Sequence, residues 1–311
     1  MKREILLPER LHTGDKIGIV SPSGPVKEEQ MVQFDAGVNY LKALGFEVKL
    51  AKNALSNTMG YSATPEEKGE DINTMFADKD IKAIICSQGG ANANSCLPYI
   101  NWDTIVDNPK IFLGISDISV LINAIHHQTG LVTFHGNDIM WGFGTPTTDY
   151  DRSEFLNRLV HGQIGPIESN SKRKTIRGGY AEGKLLGGNI HCILKLAGTP
   201  YNPDYTGCIL FLESFGFSPE DCACLISQLI QNGVMDRING VIIGYIYDEQ
   251  SHQRSLFTED ILLNMTRTYD FPILKINDFG HNCPNTVIPI GVRASLDADK
   301  QEIILLDNCV Y

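Results

Sequence analysis

The feature of this 311-residue sequence that most constrains its fold is a regular alternation of apolar runs with segments of helical spacing. In the first half, the runs KIGIV, EVKL, IKAIIC, IFLG and LVTFH are each short enough for one strand. Between them, residues 28–45 repeat apolar side chains at helical spacing and end at Gly45, and residues 64–78 and 117–129 also have helical character. Strands that alternate with helices predict βαβ units around a mostly parallel sheet.

Short polar or glycine-containing segments follow four of these predicted strands, at residues 21–24, 88–90, 116–117 and 135–137. In open α/β sheets, ligands bind beyond the carboxyl ends of the parallel strands. We therefore expect these four segments to converge at one edge of the sheet and to form a binding site there.

The second half of the chain has a different pattern of predicted secondary structure. A polar, glycine-containing stretch at residues 161–183 is the best linker candidate, and after it come short strands, one or two helices and a hairpin-like end. We therefore predict two domains, residues 1–163 and 176–311, joined by a linker at 164–175. The predicted fold class is α/β, with a parallel-sheet N-terminal domain and a smaller β-rich α/β C-terminal domain.

Charge and hydropathy exclude several classes of partner. The net charge of −11 argues against nucleic acid or an anionic membrane surface, because both require basic patches. No run approaches the roughly 18 apolar residues of a membrane span, and the first residues lack the apolar core of a secretory signal. We therefore expect a cytoplasmic protein.

The eight cysteines are scattered, which is typical of free thiols in a reducing compartment rather than of a disulfide framework. Cys222 and Cys224 form a C-x-C pair, but there is no second close pair and no nearby histidine. That spacing does not indicate a zinc site. We expect neither a metal nor another cofactor.

Ser116 lies where an apolar strand gives way to a helix, and two interpretations of it are open. A strand-to-helix turn exposes a serine Oγ as a nucleophile, and the N–H of Asp117 could then stabilise an oxyanion. Alternatively, Ser116 or Asp117 is only a helix N-cap, and the sequence lacks the second glycine of a G-x-S-x-G turn. Gly89 and Gly90 could supply a second oxyanion donor or form a plain turn.

Three other residues are candidates for acid–base chemistry. Glu213 ends the apolar run ILFL, where a carboxylate either has a partner such as histidine or faces water. His281 lies in a turn-rich, glycine-flanked segment, from which its ring could reach into a cleft, and His135 is its main rival as a base. Together with Ser116, these residues outline a serine nucleophile, a histidine base and a glutamate that orients the histidine.

Four motifs give a more specific indication, because they stand in a fixed order along nearly the whole chain. They are GISD between a strand and a helix, LLGGN, ILFLES, and FGH followed by PN and IPIG. In this order they resemble the LD-carboxypeptidase family, which contains muramoyltetrapeptide carboxypeptidases and microcin C self-immunity proteins.

The resemblance implies a serine peptidase whose triad is Ser116 as nucleophile, His281 as general base and Glu213 as the residue that orients the histidine. It also implies a flavodoxin-like N-terminal domain that carries the serine, a C-terminal domain that carries the other two residues, and a homodimer. The oxyanion would bind the backbone N–H groups of Asp117 and of the Gly89-Gly90 pair.

Two departures from the family leave the substrate open. Muropeptide-cleaving members commonly have an Arg-Gly-Gly-Tyr-Gly pattern where this chain has QGGANANS, with Gln88 in place of the arginine. That loop is more similar to the immunity branch, but the tryptophan that immunity proteins carry before GGN is absent, and the chain's two tryptophans are Trp102 and Trp141. The predicted substrate-binding residues are Asn92, Asn94 and His135, and we expect Asn189 of GGN to cap a helix.

Three functional hypotheses follow. The first is a carboxypeptidase that releases the terminal D-residue of a murein tetrapeptide in cell-wall recycling. The second uses the same triad to cleave the amide of a toxic aminoacyl-nucleotide. The third is a non-enzymatic module that binds a small ligand, with Ser116 as a helix cap.

Overall fold

The computed structural model describes residues 4–58, 60–247, 249 and 256–311. Its first sheet has six strands in the order β12-β5-β4-β3-β1-β2. These strands are β1 (Lys16–Val20), β2 (Glu47–Leu50), β3 (Ile81–Cys86), β4 (Ile111–Gly114), β5 (Thr133–His135) and β12 (Ile288–Ile290). All neighbouring pairs are parallel except β12 with β5, so the parallel sheet predicted for the first half is present.

Among the described residues of the first half, five α-helices are present: α1 (Met31–Ala43), α2 (Pro65–Ala77), α3 (Trp102–Asp107), α4 (Ser119–Thr129) and α5 (Asp149–Phe155). Local sequence explains the ends of two of them. At the start of α2, the Thr64 side chain accepts the N–H of Glu67, whose carboxylate accepts the N–H of Thr64, and Pro65 occupies the first helical position. Just beyond α1, Gly45 has a φ of +96°, as expected of a residue that ends a helix.

The second sheet has eight strands in the order β6-β14-β13-β8-β9-β10-β11-β7. They are β6 (Gly165–Pro166), β7 (Lys174–Arg177), β8 (Tyr180–Asn189), β9 (Cys208–Ser214), β10 (Gly240–Ile246), β11 (Ile273–Gly280), β13 (Arg293–Asp297) and β14 (Glu302–Leu305). The four strands from β8 to β11 are parallel and the outer pairs are antiparallel. The α-helices described in this half, outside residues 248–255, are α6 (Ile190–Ile193), α7 (Pro219–Gln231) and α8 (Thr258–Met265).

The predicted α/β fold class, with a parallel sheet and a second sheet, is confirmed. The domain boundaries stay a prediction. The segment expected to be a linker, residues 164–175, contributes β6 and the beginning of β7 to the second sheet.

The two halves meet where the GGN motif at the end of β8 contacts α4. Asn123 of α4 donates its amide N–H to the Gly187 carbonyl oxygen and accepts the Gly187 N–H. A Cβ atom added at Gly187 would lie 1.9 Å from the Phe211 carbonyl oxygen, and the Gly187 φ of +139° also requires glycine. One hydrophobic cluster runs continuously from the first sheet into the second, so the halves share a core.

Two further sequence predictions can be compared with the described residues. None of the helices described has the length and apolar content that a membrane crossing requires. All eight cysteines are free thiols, and Cys224 alone among them is exposed.

Candidate active site

Ser116 lies on a sharp turn between β4 and α4. Its φ is +64°, in the left-handed region that residues with a Cβ atom adopt at a cost of roughly 1–2 kcal/mol. The N-cap of α4 is Ile118, and no side-chain capping bond is made there or at Ile115, which precedes the turn. Ser116 is therefore not a helix cap, and backbone strain at such a position is typical of functional sites.

A cavity of about 620 Å³ opens beside Ser116. Each of the four segments predicted to converge contributes to its wall, through Gly24, residues 88–90, Ser116 and Asn137. The second half of the chain contributes Phe215 and the turn that contains His281. The predicted convergence is thus present, and the cavity is built by both halves.

His281 directly follows β11, and its Nδ1 atom lies 2.6 Å from Oε2 of Glu213, the penultimate residue of β9. The Glu213 side chain is fully buried, and that of His281 is 16% exposed. Burial alone lowers the pKa of His281, but the charge and hydrogen bond of Glu213 outweigh it, so that pKa is raised. Burial alone raises the pKa of Glu213, but the charge and hydrogen bond of His281 outweigh it, so the pKa of Glu213 is lowered. The pair is an imidazole held by a carboxylate.

The ring of Phe215 packs edge-on against the His281 ring, with 5.3 Å between the ring centroids. Phe215 itself is 58% exposed. The structure shows no hydrogen bond between Ser116 Oγ and His281, although both residues line the cavity. Catalytic hydrogen bonds are often long in unliganded enzymes and tighten when substrate binds.

Gly89 lies directly against Ser116. A Cβ atom added at Gly89 would lie 2.6 Å from Ser116 Cβ and 3.3 Å from the backbone nitrogen of Asp117. Gly90 has a φ of +152°, and its own added Cβ would lie 2.6 Å from the backbone nitrogen of Gly24. Gly89 therefore allows the backbone of the loop to approach Ser116 closely, and Gly90 allows it to approach the segment at residues 23–24.

The Asp117 side chain does not face the cavity. It is fully buried, and its carboxylate accepts hydrogen bonds from Ser23 Oγ at 2.6 Å, from the Ala93 N–H at 2.7 Å and from Lys195. Burial alone raises the pKa of Asp117, and these hydrogen bonds outweigh it, so that pKa is lowered. The carboxylate thus joins three separate segments behind the site.

The three predicted substrate-binding residues do not line the cavity. Asn92 accepts a hydrogen bond from Lys68 at 2.9 Å, and Asn94 is exposed. His135 is fully buried between the rings of Phe211 and Phe279, and burial lowers its pKa to about 4. Substrate contact by these residues stays a prediction, and the structure brings none of them to the cavity wall.

Sequence reasoning missed two residues of the cavity wall and gave a third residue near the site the wrong role. Asp138 and Trp141 line the cavity, directly beyond the predicted segment 135–137, and Trp141 is 51% exposed. Asn189 occupies the N-cap position of α6, but its side chain makes no capping hydrogen bond, so the predicted cap is wrong. It lies close enough to Glu213 to lower the pKa of that carboxyl. Tertiary packing, rather than any local pattern, places it there.

Within the part of the chain that the structure describes, no group of three or more histidine, cysteine, aspartate or glutamate side chains could hold a metal ion.

Comparison with known proteins agrees with this architecture. The sequence patterns of the LD-carboxypeptidase N-terminal and C-terminal domains match residues 17–136 and 182–296. A Bacillus subtilis (strain 168) protein named "Probable murein peptide carboxypeptidase" is 31% identical, over 96% of this chain and 93% of that protein. The Escherichia coli microcin C7 self-immunity protein MccF is 28% identical, over 97% of this chain and 96% of that protein.

The solved structure of MccF in complex with aspartyl sulfamoyl adenosine is 27% identical in sequence. It superposes with a TM-score of 0.92 over 98% of this chain and 100% of that one. The sequence patterns cover both halves of the chain, and the structural match extends over both sheets. The chain therefore belongs to the LD-carboxypeptidase family and is a serine-type peptide hydrolase rather than a non-enzymatic binding module.

Proposed function

We propose that Ser116, His281 and Glu213 form the catalytic triad of this enzyme and that it hydrolyses an LD-peptide bond. The observation that carries the proposal is the buried Glu213–His281 pair, which lines the same cavity as a serine on a strained turn. Nucleophile, base and orienting carboxylate are the three parts that acyl transfer to serine requires.

In this mechanism, Ser116 Oγ attacks the carbonyl carbon of the scissile amide while Nε2 of His281 takes the hydroxyl proton. Glu213 accepts the Nδ1–H of His281, which fixes the tautomer and stabilises the imidazolium that forms. His281 then gives its proton to the leaving amine, and the C–N bond breaks. A water molecule hydrolyses the acyl-enzyme by the same route and restores the Ser116 hydroxyl.

The oxyanion of the tetrahedral intermediate would accept hydrogen bonds from the backbone N–H groups of Asp117 and of Gly89 or Gly90. The close approach of Gly89 to Ser116 supports this arrangement, because the donors must lie within about 3 Å of the developing charge. Removing one such donor typically costs about 10²–10³-fold in kcat.

The substrate we propose is a murein tetrapeptide, from which the enzyme releases the terminal D-residue. Support comes from the relative named as a murein peptide carboxypeptidase, which matches nearly the whole chain. A cavity of about 620 Å³ is large enough for the end of a peptide.

A second candidate substrate is an aminoacyl-nucleotide, cleaved at its amide by the same triad. The structural match to MccF in complex with aspartyl sulfamoyl adenosine favours it. So does the exposed ring of Trp141 on the cavity wall, since exposed aromatic rings can stack on planar groups such as nucleobases.

Parallel assays separate the two candidates. The purified protein is incubated with an LD-tetrapeptide and, separately, with aspartyl sulfamoyl adenosine, and the products are identified by mass spectrometry. We expect release of the terminal D-residue from the tetrapeptide by the wild type and no release by S116A. Cleavage of the nucleotide compound alone would assign the second function. Turnover by folded S116A would contradict the triad.

A further inference from the structure

Residues 88–93, here called the oxyanion loop, are held by a hydrogen bond at almost every position. At the start of the loop, the Gln88 side chain donates to the Pro25 carbonyl and accepts from Trp141 Nε1 at 3.0 Å. The Gly89 carbonyl accepts the Gly24 N–H at 2.9 Å. These contacts all come from the first half of the chain, and they fix the side of the loop that faces the cavity.

The end of the loop is held by charged side chains. Lys68, which is almost fully buried, donates to Asn92 Oδ1 at 2.9 Å. The Ala93 N–H donates to Asp117 Oδ2 at 2.7 Å, and Lys195 Nζ donates to the Ala91 carbonyl at 2.9 Å. Asn92 therefore helps to hold the loop in place.

Lys195 binds both sides of the proposed oxyanion hole, in addition to the direct hydrogen bond between Ala93 and Asp117. Its ammonium group donates to the Ala91 carbonyl of the loop and also forms an ion pair with Asp117 Oδ1. It comes from the turn at Leu194–Leu196, directly after α6, and so belongs to the half of the chain that supplies Glu213 and His281. Lys195 does not line the cavity, so it acts only through its partners.

We propose that Lys195 is a positioning residue that fixes the oxyanion donors of Gly89-Gly90 relative to the donor of Asp117. The inference rests on the proposed function, because it assigns those N–H groups to the oxyanion. The Lys195 ammonium group keeps the Gly89-Gly90 donors and the Asp117 donor at a fixed spacing. That spacing affects the rate of acyl transfer more than it affects the binding of substrate.

The fixed spacing has a kinetic consequence. The oxyanion exists only in the transition state and the intermediate, so a loosened loop weakens their binding without weakening that of the intact peptide. Loss of Lys195 should therefore lower kcat and leave KM nearly unchanged. A residue with only a structural role would instead lower the amount of folded enzyme and leave the kcat of the folded fraction intact.

The test compares K195M with wild type on whichever of the two substrates the wild type cleaves. We expect kcat to fall about 10–100-fold and KM to change by less than about threefold. The rate of Ser116 labelling by a fluorophosphonate should fall by a similar factor, because that reaction also forms an oxyanion. K195R, which keeps the charge and the donors, should recover most of the lost rate.

K300M is the matched control, since the exposed Lys300 forms an ion pair with the partly buried Asp297 at 2.9 Å, and neither residue lines the cavity. We expect it to keep wild-type kcat. Unfolding in urea establishes that each variant is folded. If K195M does not fold, K195Q is measured in the same way, and the same direction of change is expected.

The outcomes distinguish this inference from the proposed function. Wild-type enzyme that neither cleaves a substrate nor labels at Ser116 contradicts the triad itself. An active wild type together with folded K195M or K195Q of unchanged kcat overturns the role of Lys195 alone. A rise in KM with constant kcat also overturns it, because it assigns Lys195 to substrate binding.

Discussion

His281 Nδ1 lies 2.6 Å from Glu213 Oε2, although the two residues are separated by 68 positions in the sequence. Each lies at the carboxyl end of a strand of the second sheet, β9 for Glu213 and β11 for His281, and β10 lies between these strands. The fold of the second half therefore preorganises the imidazole, and the first half supplies the serine.

This pair predicts the pH dependence of activity. His281 must be neutral to act as a base, and its pKa is raised, so kcat/KM should rise with pH through a value above the ordinary histidine pKa. In E213Q the burial of His281 lowers its pKa with only the smaller opposing contribution of the Asp138 charge. The rise of kcat/KM with pH should therefore move to lower pH, while kcat falls by about 10²–10⁴-fold. A pH profile of kcat/KM measures both effects.

The control for this change is E182Q, since Glu182 forms an exposed ion pair with Arg293. It should keep the wild-type profile. An E213Q profile that is unshifted or moved to higher pH would show that the carboxylate does not set the pKa of His281.

The charge of Asp138 provides a second, weaker test of what raises the pKa of His281. Its Oδ1 accepts the N–H groups of Trp141 and Gly142, and D138N retains that oxygen while removing the charge. Because the charge of Asp138 contributes to the raised pKa of His281, D138N should move the ascending limb to lower pH, by less than E213Q does. A shift of the limb to higher pH in D138N would contradict this assignment.

The left-handed backbone at Ser116 predicts an effect on stability. Relief of strain in S116G, about 1–2 kcal/mol, exceeds the entropic cost of glycine, about 0.5–1 kcal/mol. S116G should therefore be more stable than S116A by roughly 0.5–1 kcal/mol, as measured by urea unfolding. Gln301 has a φ of +61° away from the site, so Q301G should likewise be more stable than Q301A. If Q301G is more stable than Q301A but S116G is no more stable than S116A, the backbone at Ser116 is not strained.

The contact of Gly89 with Ser116 predicts that G89A loses nearly all activity. The new Cβ would lie 2.6 Å from Ser116 Cβ, so either the loop or the serine must move, and such a displacement costs about 10²-fold or more in kcat. G240A is the control, because its Cβ would lie 3.0 Å from the end of the Leu296 side chain and at an ordinary contact distance of 3.5 Å from Ala181 and Pro272. The measurement is kcat of folded G89A and G240A by steady-state kinetics. A wild-type kcat in G89A would contradict the proposed geometry.

The sequence predicted the first half of the fold well because its determinants are local. Apolar runs and helix-end residues such as Thr64 and Gly45 specify each element, and the binding rule for parallel sheets then places Ser116 beside the segment 88–90. Local patterns marked Ser116, Glu213 and His281 only as separate candidates, and the order of motifs then selected them as the proposed triad, with His281 rather than His135 as the base.

What the sequence could not predict depends on contacts between distant segments. β12 pairs antiparallel with β5, and Lys195 reaches Asp117 across the junction of the two halves. His135 was predicted at the site because it ends a strand, but its ring is buried between two phenylalanines. Which way a side chain at the end of a strand points depends on what packs against the sheet, and the pattern of one strand does not contain that information.

The most direct test of the account is the attachment of a fluorophosphonate, followed by peptide mapping with mass spectrometry. We predict a single adduct on Ser116 in the wild type, and in H281Q an attachment rate lower by about 10²-fold or more, since the serine then lacks its base. Enzyme that cleaves either substrate while Ser116 stays unmodified, or equal attachment rates in wild type and H281Q, would contradict it.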